Sequence, residues 1–455
     1  MKSWKQRGLA LVLPAVGLLL AAGLGLYVFI LSTMTPLHPS AQDVTSVKQA
    51  DPLRQWADAV EQARPVVRAG LTEQNLPGIS VAVGVGGNIV WTESFGWADL
   101  EKRIPVAPET LFPIGTASTA LTSAAVGLLL EKDRLKLDDE IQTYVPEFPV
   151  KQWPVTLRQL MGQVAGVRTD SGDEGPLFSQ HCERAVEGLQ HFAGQSLQFE
   201  PGTRFRYSSY GWILMSAAVE AVADEPFMRF MRKEVFEPLG MDDTMADSAT
   251  EPIEKRTTSY FPRFGADPRY GPDLMRELDI SCYAGASAFL STPSDLVRFA
   301  MAVNSGKLLQ PATVELLQTS QRLPSGEATG YGLGWDLETI TLAGKPTALV
   351  KHDGESLGGM VASVMTFPEY GLVVSVTSNI SYADTFSMAV TIAEAFVEQA
   401  KSTPFSDGVP FASEDRRPLR QERKGTKAFT RHLFWEPPCQ TTTKSRVSSI
   451  RSRAK

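Results

Sequence analysis

Residues 78–110 read GISVAVGVGGNIVWTESFGWADLEKRIPVAPET, and the first part of this stretch decides the fold class. ISVAVGV and NIVWTESFGW are short runs rich in β-branched and aromatic residues, and Gly86-Gly87 stands between them. Two such runs with a glycine pair at the junction read as a β-hairpin. A phosphate-binding loop is the competing reading of those glycines. GVGGN lacks the GxGxxG spacing and no helical pattern follows it, so the turn is preferred.

Outward from this hairpin the pattern changes twice. On the N-terminal side, LRQWADAVEQARPVVRAGLTEQ (53–74) places apolar residues at intervals of three and four, as an amphipathic helix does, with Pro65 a candidate kink. On the C-terminal side, TASTALTSAAVGLLLEK (116–132) opens with small hydroxyl residues and continues in Ala and Leu, the composition of a buried helix. Further helical patterns include SYGWILMSAAVEAVA and SDLVRFAMAVNSG. Strand-like runs then return as TALVKHDG, MVASVMTF and GLVVSVTSN, and 387–401 closes the body as an amphipathic helix. Strands at both ends with helices between them imply an α+β fold: one antiparallel sheet assembled from the two chain ends, flanked by N- and C-terminal helices and interrupted by a helical lobe.

A chain of 455 residues, 43% of them hydrophobic, can bury a large core and is neither disordered nor collagen-like. Its net charge of −7 is unevenly spread: the stretch from Glu414 onward holds 12 basic against 4 acidic side chains, and Lys2, Lys5 and Arg7 crowd the start. The body between is therefore strongly acidic, a poor surface for nucleic acid. The three cysteines (Cys182, Cys282, Cys439) are far apart and form no CxxC, so the sequence indicates neither a disulfide framework nor a thiolate zinc site. The five histidines show no HExxH, and neither metal nor cofactor is expected. Asn379-Ile380-Ser381 matches a glycosylation acceptor, a pattern common by chance.

Residues 8–31 carry no charge and, at about 1.5 Å per helical residue, reach about 36 Å, enough to cross a hydrocarbon core of about 30 Å. A cleavable signal peptide competes with an anchor, but its apolar region is usually only about 7–15 residues. All three early cations precede the apolar run, which leaves the N-terminus in the cytosol and sends the body outward. The expected organisation is a cap and transmembrane anchor over 1–34, a polar tether over 35–52, one domain over 53–402 and a disordered basic tail over 403–455. In a bacterium this is a single-pass protein of the cytoplasmic (inner) membrane whose domain faces the periplasm or exterior.

Eight blocks in order carry a resemblance: the stretch 78–110 above, LKLDDEIQTYVPEFP, VTLRQLMGQVAGV, FRYSSYGWIL, EPLGMDDT, STPSDLVRFAMAVNSG, YGLGW and HDGESLGGM. Together they resemble the serine β-lactamase-like family, which includes class C β-lactamases, low-molecular-weight penicillin-binding proteins, related esterases and a mitochondrial branch. LEKRIPVAPET and YVPEFP are most similar to that branch. The resemblance spans roughly residues 53–400. It implies the fold already reached, an active site between sheet and lobe, and a mechanism in which the serine of a helical SxxK attacks an acyl carbonyl. A YxN tyrosine shuttles protons, and a KTG-like or HxG strand lines the far wall. Residues three apart share one helix face, which puts hydroxyl and amine within reach of each other.

Carried onto this chain, the resemblance places Thr116 at the nucleophile and Thr119 at the lysine position of the SxxK block, so no amine is present there. Tyr207 holds the tyrosine position, Ser209 replaces the asparagine, His352-Asp353-Gly354 is the strand motif, and Glu355 follows where the family places an oxyanion amide. A histidine common in the family is Gln163 here. The literal SxxK at 452–455 sits in the basic tail and reads as coincidence. Thr116, Thr119, Tyr207 and His352 are thus the catalytic candidates, with Ser118, Ser209, Gly354 and Glu355 as substrate-binding candidates. Ser118 is also a second candidate nucleophile. Thr116 is either a nucleophile or an ordinary helix-start hydroxyl, and threonine attacks only with a base beside it. The corresponding functions are a slow acyl hydrolase or peptidase, or an inactive module that keeps the cleft and binds a peptide, a peptidoglycan stem or a small ester. A scaffold using anchor and tail is a third reading.

Overall fold

A computed structural model describes residues 4–168, 180–250, 252–276, 278–356 and 360–402. The basic tail over 403–455, with its SxxK, lies outside the described residues. At the N-terminus stands one long helix, α1 (Trp4–Thr33), whose segment Pro14–Thr33 is 20 residues long with mean hydropathy 2.3. The main sheet is antiparallel throughout, in the order β1 (Ser46–Lys48), β3 (Asn88–Asp99), β2 (Gly78–Val85), β7 (Leu372–Ser378), β6 (Met360–Phe367), β5 (Lys345–Ser356) and β4 (Asp336–Leu342). Gly86 and Gly87 have φ of +57° and +87°, the two positive values that a tight turn between right-twisted strands demands. Strands from the two chain ends meet where β2 pairs β7, with Ile79 opposite Ser378.

Alternation along each strand sorts side chains to two faces. Ile79, Val81 and Val83 of β2, Val374 and Val376 of β7, and Met365 and Phe367 of β6 point to the back. There they meet α2 (Ala57–Glu73) and α6 (Thr385–Ser402), the two terminal helices of the body. Trp56 and Trp91 lie against Phe396, with ring centroids 5.5 and 6.3 Å apart. Glu93 is fully buried on this face, but Arg64 Nε donates to it at 2.9 Å and Trp91 Nε1 at 3.1 Å, which ties α2 to β3 and compensates the charge. Ala82, Val364, Val350 and Val373 point to the front, into a core shared with α3 (Ser118–Glu131), α4 (Ser209–Ala223) and α5 (Pro293–Asn304).

Three sequence readings change. The stretch 35–52 is not a free tether: Ser46–Lys48 adds an edge strand opposite Glu93–Phe95, and His38 is buried with Nε2 donating to the Leu76 carbonyl at 3.0 Å. The cysteine spacing concealed a disulfide, because Cys182 and Cys282, 100 residues apart in sequence, are bonded across the helical lobe. The segment at 116 starts as a 3₁₀ turn, Gly115–Ala117, and becomes α-helical only at Ser118. Asn379 is fully buried, its amide donating to the Trp97 carbonyl at 3.1 Å and to Thr257 Oγ1 at 3.1 Å, so it is an internal strut with no room for a glycan.

Candidate functional site

Where the front of β5 meets the start of α3, the chain leaves Gly115 with φ of +52° and presents Thr116 in the 3₁₀ turn. Gly354 lies flat against this turn. A Cβ there would overlap the Ile114 carbonyl oxygen and stand 2.7 Å from the Ala117 amide nitrogen, so only glycine lets strand and helix close. The half-buried Thr116 hydroxyl donates to the Asp353 carbonyl at 3.3 Å, and among the described residues that main-chain oxygen is its one hydrogen-bond partner.

One turn further, Thr119 is fully buried and its Oγ1 lies 2.6 Å from His352 Nε2. The Tyr331 hydroxyl approaches the same nitrogen at 3.3 Å, and His352 Nδ1 lies 3.1 Å from the Asp353 carbonyl. A carbonyl only accepts, so Nδ1 carries the proton and Nε2 is the acceptor that the Thr119 and Tyr331 hydroxyls share. Burial lowers the His352 pKa, consistent with this neutral tautomer, and burial raises that of Tyr331 well above the ordinary phenol value. The imidazole lone pair is therefore engaged by Thr119 inside the core, while Thr116 shares only the Asp353 carbonyl with this cluster.

Tyr207 joins the cluster by its ring, 6.3 Å from Tyr331 edge-on and 6.4 Å from His352. Gln163, at φ of +60°, orients this segment: its Oε1 accepts from Ser208 N at 2.8 Å and its carbonyl from Arg206 N at 2.8 Å. Ser209 is buried at the first position of α4. Ser118 is wholly buried, its hydroxyl without a hydrogen-bond partner among the described residues, because two positions along the helix it turns into the core. It therefore offers no ligand-facing surface. The backbone of Glu355 pairs with Val361, and its side chain lies outside the described residues. Thr116, Thr119, Tyr207, His352 and Gly354 are thus gathered in one place. Tyr331 and Gln163 complete the group. Tyr331 was readable only as part of the YGLGW block.

Chemically the cluster offers hydroxyls and one neutral imidazole, with no amine among the described residues around Thr116. Residues 63–396 match the family model described as Beta-lactamase. The chain is 25% identical over 460 residues to the "Serine beta-lactamase-like protein LACTB, mitochondrial" of Bos taurus, covering 77% of this chain and 82% of that protein. It is 26% identical over 285 residues to "Penicillin-binding protein 4*" of Bacillus subtilis, covering 60% of this chain and 62% of that protein. Among solved structures, the octameric penicillin-binding protein homologue from Pyrococcus abyssi superposes with a TM-score of 0.65 at 23% identity, over 74% of this chain and 77% of that one. FmtA from Staphylococcus aureus superposes with a TM-score of 0.63 at 20% identity, over 78% and 91%. At such identities the structural likeness concerns the fold.

Proposed function

The chain belongs to the β-lactamase family, and from that premise we propose a membrane-anchored, outward-facing protein that keeps the family's cleft for binding while its acyl-transfer chemistry is silent. The observation that carries this reading is the Thr116 hydroxyl, whose hydrogen goes to a main-chain carbonyl. An attacking hydroxyl needs a group to take its proton, and such a base is worth roughly 10²–10⁴ in rate. Thr119 stands where the family has lysine, and the lone pair of His352 is turned to Thr119. Thr119 itself, though hydrogen-bonded to that imidazole, is sealed from any substrate.

The ligand class follows from the penicillin-binding relatives: a peptide, a peptidoglycan stem or a small ester held against Thr116 and the β5 strand. Outward orientation is supported by Lys2, Lys5 and Arg7 preceding α1 and by the Cys182–Cys282 bond, since disulfides persist in oxidising compartments. The test is hydrolysis of an activated ester by the protein and by Thr116→Ala. Equal rates for the two, together with saturable binding of a stem peptide, are expected. A rate that falls in Thr116→Ala would establish an acyl-Thr116 enzyme instead.

A further inference from the structure

Three features converge on one end of the sheet. The first is the site: Glu355, which follows Gly354, pairs with Val361, Val361 with Ser378, and Ser378 with Ile79, a single transverse row from β5 to β2. With neighbouring strands about 4.8 Å apart, the three steps of that row cover about 14 Å. The second is the point where the anchor joins the body, immediately before β2. Asn75 Oδ1 accepts from Leu37 N at 2.8 Å, Asn75 Nδ2 donates to the Thr35 carbonyl at 3.2 Å, and His38 is held by Leu76. From the end of α1 at Thr33 to Leu37 the chain reaches at most about 14 Å.

The third is a small hairpin, Tyr260–Pro262 paired with Pro272–Leu274, that extends from the same end. Tyr260 bridges to Ile380 just past β7, and its hydroxyl accepts from Leu100 N at 2.8 Å just past β3. The loop of this hairpin reaches the anchor, for Arg263 Nη1 donates to the Thr33 carbonyl at 3.4 Å. Its second strand ends in Leu274, which is 70% exposed, and the exposed arginines of this segment are Arg263, 3.3 Å from Asp273, Arg269, 2.6 Å from Asp267, and Arg276. An exposed apolar side chain flanked by arginine–aspartate pairs, beside the end of a spanning helix, suits the polar headgroup layer at the edge of the acyl chains.

We propose that the end of the sheet bearing Thr116 and His352-Asp353-Gly354 rests on the phospholipid headgroup layer of the membrane that holds α1, with the hairpin over 260–274 as the contact surface. This rests on the reading of α1 as an anchor. It directs the cleft to ligands that are attached to, or partition into, that layer. The opposite end of the domain, where β5 begins at Lys345, stands about 36 Å away along the strand.

The experiment uses the full chain in phosphatidylcholine–phosphatidylglycerol vesicles, with Cys439→Ser and a single new cysteine, Leu274→Cys or Lys345→Cys, carrying a fluorophore. Quenching by a headgroup-attached spin label is expected to be several-fold stronger at 274 than at 345. Equal quenching in protein that floats with the vesicles overturns the docking and leaves the anchor intact. Protein that fails to float after alkaline extraction overturns the anchor, and the docking falls with it. Asn75 has φ of +56°, so Asn75→Gly keeps the backbone while removing the clamp. In that variant the contrast between 274 and 345 is expected to shrink with the circular dichroism unchanged. An undiminished contrast overturns the role of the clamp.

Discussion

Lys351 and His352 are neighbours on β5, yet they face opposite sides of the sheet and opposite electrostatic surroundings. On the back, the buried Lys351 amine lies 2.7 Å from Asp353 Oδ2, 3.3 Å from Glu338 Oε1 and 3.8 Å from Asp336 Oδ2. Burial alone would lower its pKa, but the carboxylates of Asp353, Asp336 and Glu338 overcome this and hold it above the ordinary lysine range. On the front, burial keeps His352 neutral and its partners are hydroxyls. An amine is thus present within one residue of the site, but the two-residue period of a strand turns it to the wrong side. Proximity in sequence does not bring that amine to the Thr116 hydroxyl.

The contrast between the faces can be broken most severely at the glycine that seats the front. Gly354→Ala should cost about 3 kcal/mol or more, since its Cβ meets backbone on two sides and neither can swing away. Urea denaturation followed by tryptophan fluorescence measures this, and a loss below about 1 kcal/mol would mean that strand and helix part easily. On the back face, Lys351→Met leaves three carboxylates without their cation. Breaking a fully buried pair costs about 3–5 kcal/mol, but these carboxylate side chains are 25–46% exposed, so roughly 2 kcal/mol is expected by the same measurement. Because the Lys351 pKa is raised above 10.5, this contribution is fully present at neutral pH. It disappears only as pH climbs through the folded-state value.

The smallest effect has the opposite sign of pH dependence. His352 has its pKa lowered from 6.5, so below that pH the unfolded chain takes up the proton that the folded chain refuses, and stability falls. Each such histidine contributes at most about 1.4 kcal/mol per pH unit. His38, also lowered by burial, acts in the same direction. His352→Gln should therefore reduce the acid sensitivity that the two histidines cause together, and denaturation midpoints between pH 7 and pH 5 measure it. An unchanged slope would show that folding does not shift the titration of His352.

What the sequence disclosed and what it withheld follow from the range of the interactions. The β2–β3 hairpin is encoded within the 22 residues Gly78–Asp99 by alternation and a glycine pair, and SYGWILMSAAVEAVA is α4 from end to end. Thr116, Thr119, Tyr207 and His352 were identifiable because each sits in a local block. Tyr331 was not, since its contact with His352 depends on how the YGLGW segment packs beneath α3 and no periodicity announces it. The Cys182–Cys282 bond likewise joins distant elements, and even with only three cysteines spacing cannot choose the pair. The edge strand Ser46–Lys48 escaped notice because three residues carry no period, and their strand character comes from the row of open groups on β3 that they satisfy.

With α1 as the proposed anchor, the clamp at Asn75 and His38 also bears on how the domain would be released from a membrane. Proteases cut where exposed backbone can be drawn out into their clefts. Here Thr35, Leu37 and His38 are hydrogen-bonded to the body and Ser46–Lys48 is its edge strand, so the exposed coil that follows, 49–53, lies on the body side of that strand. On the proposed reading of α1 as an anchor, a cut at 49–53 would leave the edge strand still paired to β3, and the body would separate only once that strand is peeled from the sheet's margin.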